Sequence, residues 1–186
     1  FDGSGDYFTA PDSESWDFGT GDFTLEMWVK FIEIGGSNEG LIANHDSPNG
    51  WQWIYDVNHF ELWATDQTEY QSSTIALSTH TWYHIAVVRD GDTLRHYVGG
   101  AEQGTNAFTE TMSNTATTLQ VGAYGDNGLG SPDAYFDCIR ISKLCRYPDG
   151  TTFTPSTTAF TDDINTVLLL NADINQGTWA EDQSTG

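Results

Sequence analysis

The sequence predicts an all-β domain, an antiparallel two-sheet β-sandwich of jelly-roll type. Three observations carry that reading. Val, Ile, Thr, Phe, Tyr and Trp recur in short runs, and the 186 residues hold 13% aromatics and 19 glycines. Such composition suits pleated, half-buried surfaces separated by turns. Asp22 to Phe31 alternates cleanly, with Phe23, Leu25, Met27, Val29 and Phe31 on one face and Thr24, Glu26, Trp28 and Lys30 on the other. Trp82 to Arg89 and Leu94 to Val98 flank Asp90-Gly91, a pair suited to a tight hairpin turn.

In chain order, Phe1 to Tyr7 is a Gly-rich acidic turn running into a short strand at Phe8, and Pro11 to Gly21 is a loop. The first face of Asp22 to Phe31 reads as core. Leu41-Ile42-Ala43 starts a strand that ends at the polar loop Asn44 to Gly50. Trp51 to Val57 and Phe60 to Ala64 read as a hairpin around Asn58-His59, and Tyr70 to Leu77 as a further strand. The Trp82 hairpin is apolar on both faces, which places it centrally in a sheet. Gly99 to Asn114 reads as irregular. Leu119 to Gly122 is a strand, Tyr124 to Asp133 a Gly/Asp/Asn loop, Ala134 to Ser142 a strong strand, Lys143 to Ala159 an extended segment and Thr166 to Leu170 an apolar strand. Roughly a dozen short strands, with turn signals about every 8–12 residues, suit a sandwich or jelly roll.

The net charge is −21, from 27 acidic and 6 basic residues. Such a surface repels nucleic acid and anionic membrane. It suits cation binding or a saline, extracellular setting. No apolar run approaches a membrane span. The chain starts at Phe1, so the sequence predicts a processed protein or a piece of a longer one. Cys138 and Cys145 have two readings: a disulfide in an oxidising compartment, or a buried small apolar residue at Cys138.

Three motifs resemble the laminin-G-like, or concanavalin-A-like, lectin–glucanase jelly-roll superfamily. They are Phe1-Asp2-Gly3-Ser4-Gly5-Asp6-Tyr7 with Phe23 to Lys30, Trp82 to Gly91 with Tyr97 to Gly100, and Tyr135 to Ser142. Gly99 departs from the pattern, since the family usually carries Asp there. Lys143 to Tyr147, followed by Phe153-Thr154-Pro155, is similar to tandem domains of phage and large-virus structural proteins. That resemblance implies a domain over residues 1–160. Residues 161–186 then form a C-terminal strand and tail that complete the same sheet, a neighbouring subunit or the next repeat, Asp182 to Gly186 opening the latter. Val167, Leu168, Leu169 and Leu170 are the subunit-linking candidates, by strand addition to an open sheet edge. The partners expected are copies of this chain or tandem repeats.

Calcium is the expected ligand, as a hard cation wants several oxygens. Asp2, Gly5 and Asp6 offer carboxylates and carbonyls in one turn. Asp137 lies in an apolar strand, and the resemblance to bacterial β-glucanases implies a calcium-binding Asp at that position. The alternative for Asp137 is a pair with Arg140 or a backbone N–H. Trp51, Trp53, Tyr55 and Trp63 read as a sugar platform, with His45, Asp46, Asn49, Asp126 and Asn127 bonding hydroxyls from nearby loops. The alternative is that half of these aromatics are core. The relatives' Glu-x-Asp-x-x-Glu spacing is absent, so catalysis is not predicted. The reading is a non-catalytic structural or adhesive module of an extracellular or virion assembly, with a calcium-dependent carbohydrate-binding module as its alternative.

Overall fold

The computed structural model describes residues 1–35, 38–64, 68–125 and 129–172. Two six-stranded antiparallel sheets pack face to face. The back sheet holds β1 (Phe8–Ala10), β3 (Glu39–Asp46), β4 (Asn49–Asp56), β5 (His59–Trp63), β6 (Glu69–Gln71) and β10 (Leu119–Val121), in the spatial order β1-β10-β3-β4-β5-β6. The front sheet holds β2 (Phe23–Phe31), β7 (Tyr83–Asp90), β8 (Thr93–Val98), β9 (Ala101–Ala107), β11 (Ala134–Ser142) and β12 (Thr166–Leu170), in the order β12-β11-β2-β7-β8-β9. Strand alternation builds the core directly. The predicted face of β2 is buried to the last residue, and it meets Trp51, Trp53 and Tyr55 of β4 and Phe60 and Leu62 of β5. Each such side chain contributes about 1.5–3 kcal/mol by leaving water.

Several boundaries move. The residues read as a polar loop, Asn44 to Gly50, are the ends of β3 and β4, paired as Asn44↔Trp51, His45↔Gly50 and Asp46↔Asn49. Asn44 is polar yet fully buried, because its amide accepts from Thr115 N at 2.6 Å and donates to Thr117 O at 3.0 Å. The next hairpin turns at Val57-Asn58, both at positive φ, and the Trp82 hairpin at Gly91-Asp92. The strand expected over Tyr70 to Leu77 is only β6, since Ser73 N leaves the ladder to donate to Gln103 O. The stretch read as irregular contains β9. Gly99 and Gly100 reverse the chain at φ +59° and +80°, and small, polar β9 is an edge strand with no apolar alternation to reveal it.

Two features shape the outer face of the front sheet. A β-bulge in β11 lies between Asp137 and Arg140, with Cys138 as the extra residue at φ +48°. Asp137 therefore faces Trp28 while Arg140 faces Glu26, and both point outward. The second feature is a strap, residues 143–160, that crosses this face. Thr24 Oγ1 donates to Leu144 O at 2.7 Å, and Tyr97 Oη donates to Tyr147 O at 3.0 Å. Phe153 N donates to Gly100 O at 3.0 Å. A Cβ on Gly100 would overlap the Phe153 carbonyl oxygen, so the strap lies against bare backbone there. Tyr147 and Phe153 stack at 3.6 Å between ring centroids and pack with Cys145 on Ala86, Val88 and Tyr97.

The strap and the bulge keep the cysteines apart. Cys138 packs with Phe160 and Leu169, Cys145 belongs to the separate Tyr97 cluster, and no disulfide joins them. The disulfide reading is thereby corrected. β12 pairs with β11 of its own sheet, with Ile139↔Leu170, Arg140↔Leu169 and Ile141↔Leu168 in register. Leu168 enters the main core and Leu169 the Cys138 cluster.

Candidate functional site

The outer face of the front sheet has two halves. Under the strap, Glu26 is fully buried and its charge is answered on every side. Arg140 approaches Oε1 at 2.6 Å, His84 Nε2 lies 3.1 Å from Oε2, and Tyr147 Oη donates to Oε2 at 2.6 Å. Burial alone would raise the Glu26 carboxyl, but His84, Arg140 and Tyr147 together hold it below the ordinary carboxylate value. Burial and the Glu26 charge push the Tyr147 phenol up, so it remains a donor.

Beyond the strap the same face is open. Register places Tyr135 beside Lys30, and the next strand carries Trp82 one step before the Val29↔Tyr83 pair, opposite Lys30. Tyr135 is 56% exposed and Trp82 41%. They stand two strand spacings apart, about 10 Å. Between them Lys30 Nζ lies 5.1 Å from the Trp82 ring centroid and 4.5 Å from that of Tyr135. The next outward row holds Asp137 and Trp28.

A groove of about 460 Å³ runs over this row, with Trp28, Trp82 and Asp137 on its floor and Thr157, Thr158 and Asn171 at its rim. Trp28 Nε1 donates to Ser156 O at 3.1 Å, which fixes the ring against the strap. A second concavity lies beside it at the adjoining row, lined by Lys30, Tyr135, His80, Asp6 and Asp133. The first groove offers the faces of Trp28 and Trp82, the hydroxyls of Thr157 and Thr158 and the carboxylate of Asp137 in one concavity. That is the make-up of a small-molecule or sugar site.

The sugar platform predicted from the sequence is not assembled. Trp51, Trp53 and Tyr55 are at most 1% exposed, because their face of β4 points into the sandwich. Trp63 lies on the outer face of the back sheet, where its Nε1 donates to Glu61 Oε2 at 3.1 Å. His45, Asp46 and Asn49 sit at the tip of the β3–β4 hairpin, where His45 pairs with Gly50 and Asp46 with Asn49. Asp126 and Asn127 fall outside the described residues, as does Asp182 to Gly186. Trp28, Lys30, Trp82 and Tyr135 lie within motifs quoted from the sequence, yet none of these four is singled out there. Trp28 and Lys30 alternate out of phase with the β2 core, and Tyr135 out of phase with Ala134 and Phe136, so the signal was present.

The predicted cation set is also divided. Asp2 and Asp6 close their own turn, with Asp2 N donating to Asp6 Oδ2 and Ser4 N to Asp2 Oδ1. Gly5 serves that turn at φ +77°. Asp2 bridges to Asp133, four residues along from Asp137, a separation of about 13 Å in a strand. Asp137 Oδ1 accepts from Cys138 N at 2.6 Å and Ala172 N at 3.1 Å. That is the backbone alternative to a metal, and no ion pair joins Asp137 to Arg140. Among the described residues, no three His, Cys, Asp or Glu side chains converge on one point. Also among them, no helix is long and apolar enough to cross a membrane.

A family model described as the concanavalin A-like lectin/glucanases superfamily matches residues 2–149. No curated protein matches the chain. Among solved structures, a putative carbohydrate binding protein from Bacteroides ovatus is similar at 14% identity and a TM-score of 0.67, over 95% of this chain and 53% of its own. Domain 4 of AbnA, a GH43 extracellular arabinanase from Geobacillus stearothermophilus, in complex with arabinotriose, gives 17% identity and 0.58 over 76% of this chain and 69% of its own. The binding domain of Paraclostridial Mosquitocidal Protein 1 gives 13% and 0.58 over 75% of this chain and 38% of its own. The chain thus spans about half or less of the Bacteroides and mosquitocidal chains. At these identities the likeness speaks to the fold.

Proposed function

The chain belongs to the concanavalin A-like lectin/glucanases superfamily, and from that premise we propose that it is a non-catalytic carbohydrate-binding module working outside the cell. The observation that carries the proposal is the open face of the front sheet, where a groove floored by exposed Trp82 and half-buried Trp28 adjoins the exposed ring of Tyr135. The apolar faces of sugar rings stack on such side chains, while Thr157, Thr158 and Asp137 serve the hydroxyls. Support also comes from two similar folds, one named a putative carbohydrate binding protein and one solved with arabinotriose. A glycan array tests the proposal. Binding that is lost in Trp82→Ala and Tyr135→Ala, but kept in Trp63→Ala, supports this groove, and an array with no bound glycan refutes it.

One observation favours a second reading, a structural or adhesive unit of a filament or virion assembly. Among the described residues β12 is the edge strand of the front sheet, and an edge strand is a position where another chain can pair. Copies of the chain would join by strand pairing along that edge. Sedimentation at high micromolar concentration separates the readings. Monomers sink assembly through β12, and chains of copies that dissolve when Val167 to Leu170 are deleted support it.

A further inference from the structure

On the reading that the groove binds glycan, we propose that the sugar it selects carries a carboxylate, and that Lys30 is the residue that recognises it. The argument starts from how the few cations are spent. Lys30 is one of only six basic residues among 186, and the other five are all bound to oxygen. Arg89 donates to the carbonyls of Gly91, Gly19 and Glu110. Arg95 pairs with Glu102 and Asp90, Arg140 with Glu26, and Arg146 with Asp163. Lys143 Nζ donates to Glu14 O at 2.8 Å.

Lys30 differs from all of these. Its ammonium lies between the Trp82 and Tyr135 rings and, among the described residues, makes no ion pair and no hydrogen bond to oxygen. Carboxylates are near, since Asp2, Asp6 and Asp133 line the same stretch of groove, but none comes within ion-pair distance. In a chain of net charge −21, an ammonium left without an anion at the centre of an aromatic platform has all three donors to offer a ligand.

The geometry sets what that ligand looks like. A sugar ring stacked on Trp82 or Tyr135 has its edge over Lys30, where a carboxylate substituent gains a charge-assisted hydrogen bond. The surrounding acidic residues repel a densely charged polyanion, so the fit is to an acidic residue in an otherwise neutral chain.

Calorimetric titration of the full chain with sialyllactose and with a singly uronylated xylo-oligosaccharide, each against its neutral counterpart, tests this and tells a sialic from a uronic acid. The expected result is preference for one acidic sugar by about tenfold, the scale of a hydrogen bond to a charged group. Lys30→Met brings the acidic sugar down to the affinity of its neutral counterpart, and Lys30→Arg restores the preference, with thermal midpoints confirming that both variants fold. Equal binding of acidic and neutral sugars, or a Lys30→Met loss common to both, overturns the role of Lys30 while the groove reading survives. Binding of no sugar at all overturns both.

Discussion

Glu26 and Lys30 project from the same face of the same strand, four residues apart, and meet opposite treatments. Glu26 lies under the strap, where two arginines, a histidine and a tyrosine surround it. Lys30 lies past the strap's edge with two ring faces and, among the described residues, no ion pair. The covered half must satisfy its charges internally, because an unpaired buried charge is costly. The open half is under no such demand, and there the Lys30 ammonium is left to a partner. One sheet face thus carries a structural network and a binding surface, and the strap draws the line between them.

The sharpest way to break this contrast is on the covered side. Glu26→Ala leaves Arg140 and His84 buried without their counter-ion. It is expected to cost about 3–5 kcal/mol, read from the urea midpoint. Because the folded Glu26 carboxyl is held below its ordinary value, its stabilisation is fully present above the unfolded carboxylate range. It is lost as pH falls through the folded value. Glu26→Gln flattens that part of the stability profile.

A second acid-sensitive group sits on the inner side of the same sheet. Burial lowers His96 from 6.5 to about 4. Between those values the unfolded chain takes up a proton that the folded chain refuses, so stability falls with pH across that window. At roughly 1.4 kcal/mol for each pH unit, the full loss is about 3 kcal/mol. His96→Leu should abolish it, as measured by denaturation at pH 7 and pH 4.

On the open side the effects move from folding to binding. Trp82→Ala is expected to weaken glycan binding about tenfold and to change stability by less than about 0.5 kcal/mol. Trp51→Ala should do the reverse, costing about 3–5 kcal/mol as a core truncation. Its affinity, corrected for the folded fraction, should stay unchanged. The smallest effect is expected from EDTA. With the Asp2–Asp6 turn closed by its own hydrogen bonds and Asp137 bonded to backbone, chelation should shift the thermal midpoint by less than about 1 °C. A larger fall would restore calcium as a structural ligand.

The two halves also differ in how far they can be read from sequence. Alternation in β2 sorts inward from outward residues correctly, so the Phe23, Leu25, Met27, Val29 and Phe31 face was legible as core, whereas the bulge at Cys138 breaks the period in β11. The same rule puts Trp51, Trp53 and Tyr55 on one face of β4 but cannot say which face meets the other sheet. They were therefore assigned to a surface they do not reach. The fate of Glu26 is harder still, for its cover comes from Tyr147, 121 residues away. β9 escaped because a polar edge strand lacks the apolar period. The groove needed three strands in register before Trp82, Lys30 and Tyr135 became neighbours.

Gly100 and the strap bear on kinetics as well as on architecture. Contacts that hold the strap join residues 50 or more positions apart, and those of Thr24 with Leu144 and Trp28 with Ser156 span 120 and 128. The surface it docks on does not exist until β2, β7 and β8 are paired, so docking follows sheet formation, and such long-range closure is slow. Its release need not disturb the sandwich core. A protein of this design should therefore open in stages, with amide protons of the strap exchanging well before those of β2. A side chain at position 100, by propping the strap off its backbone seat, would make that early stage the resting state.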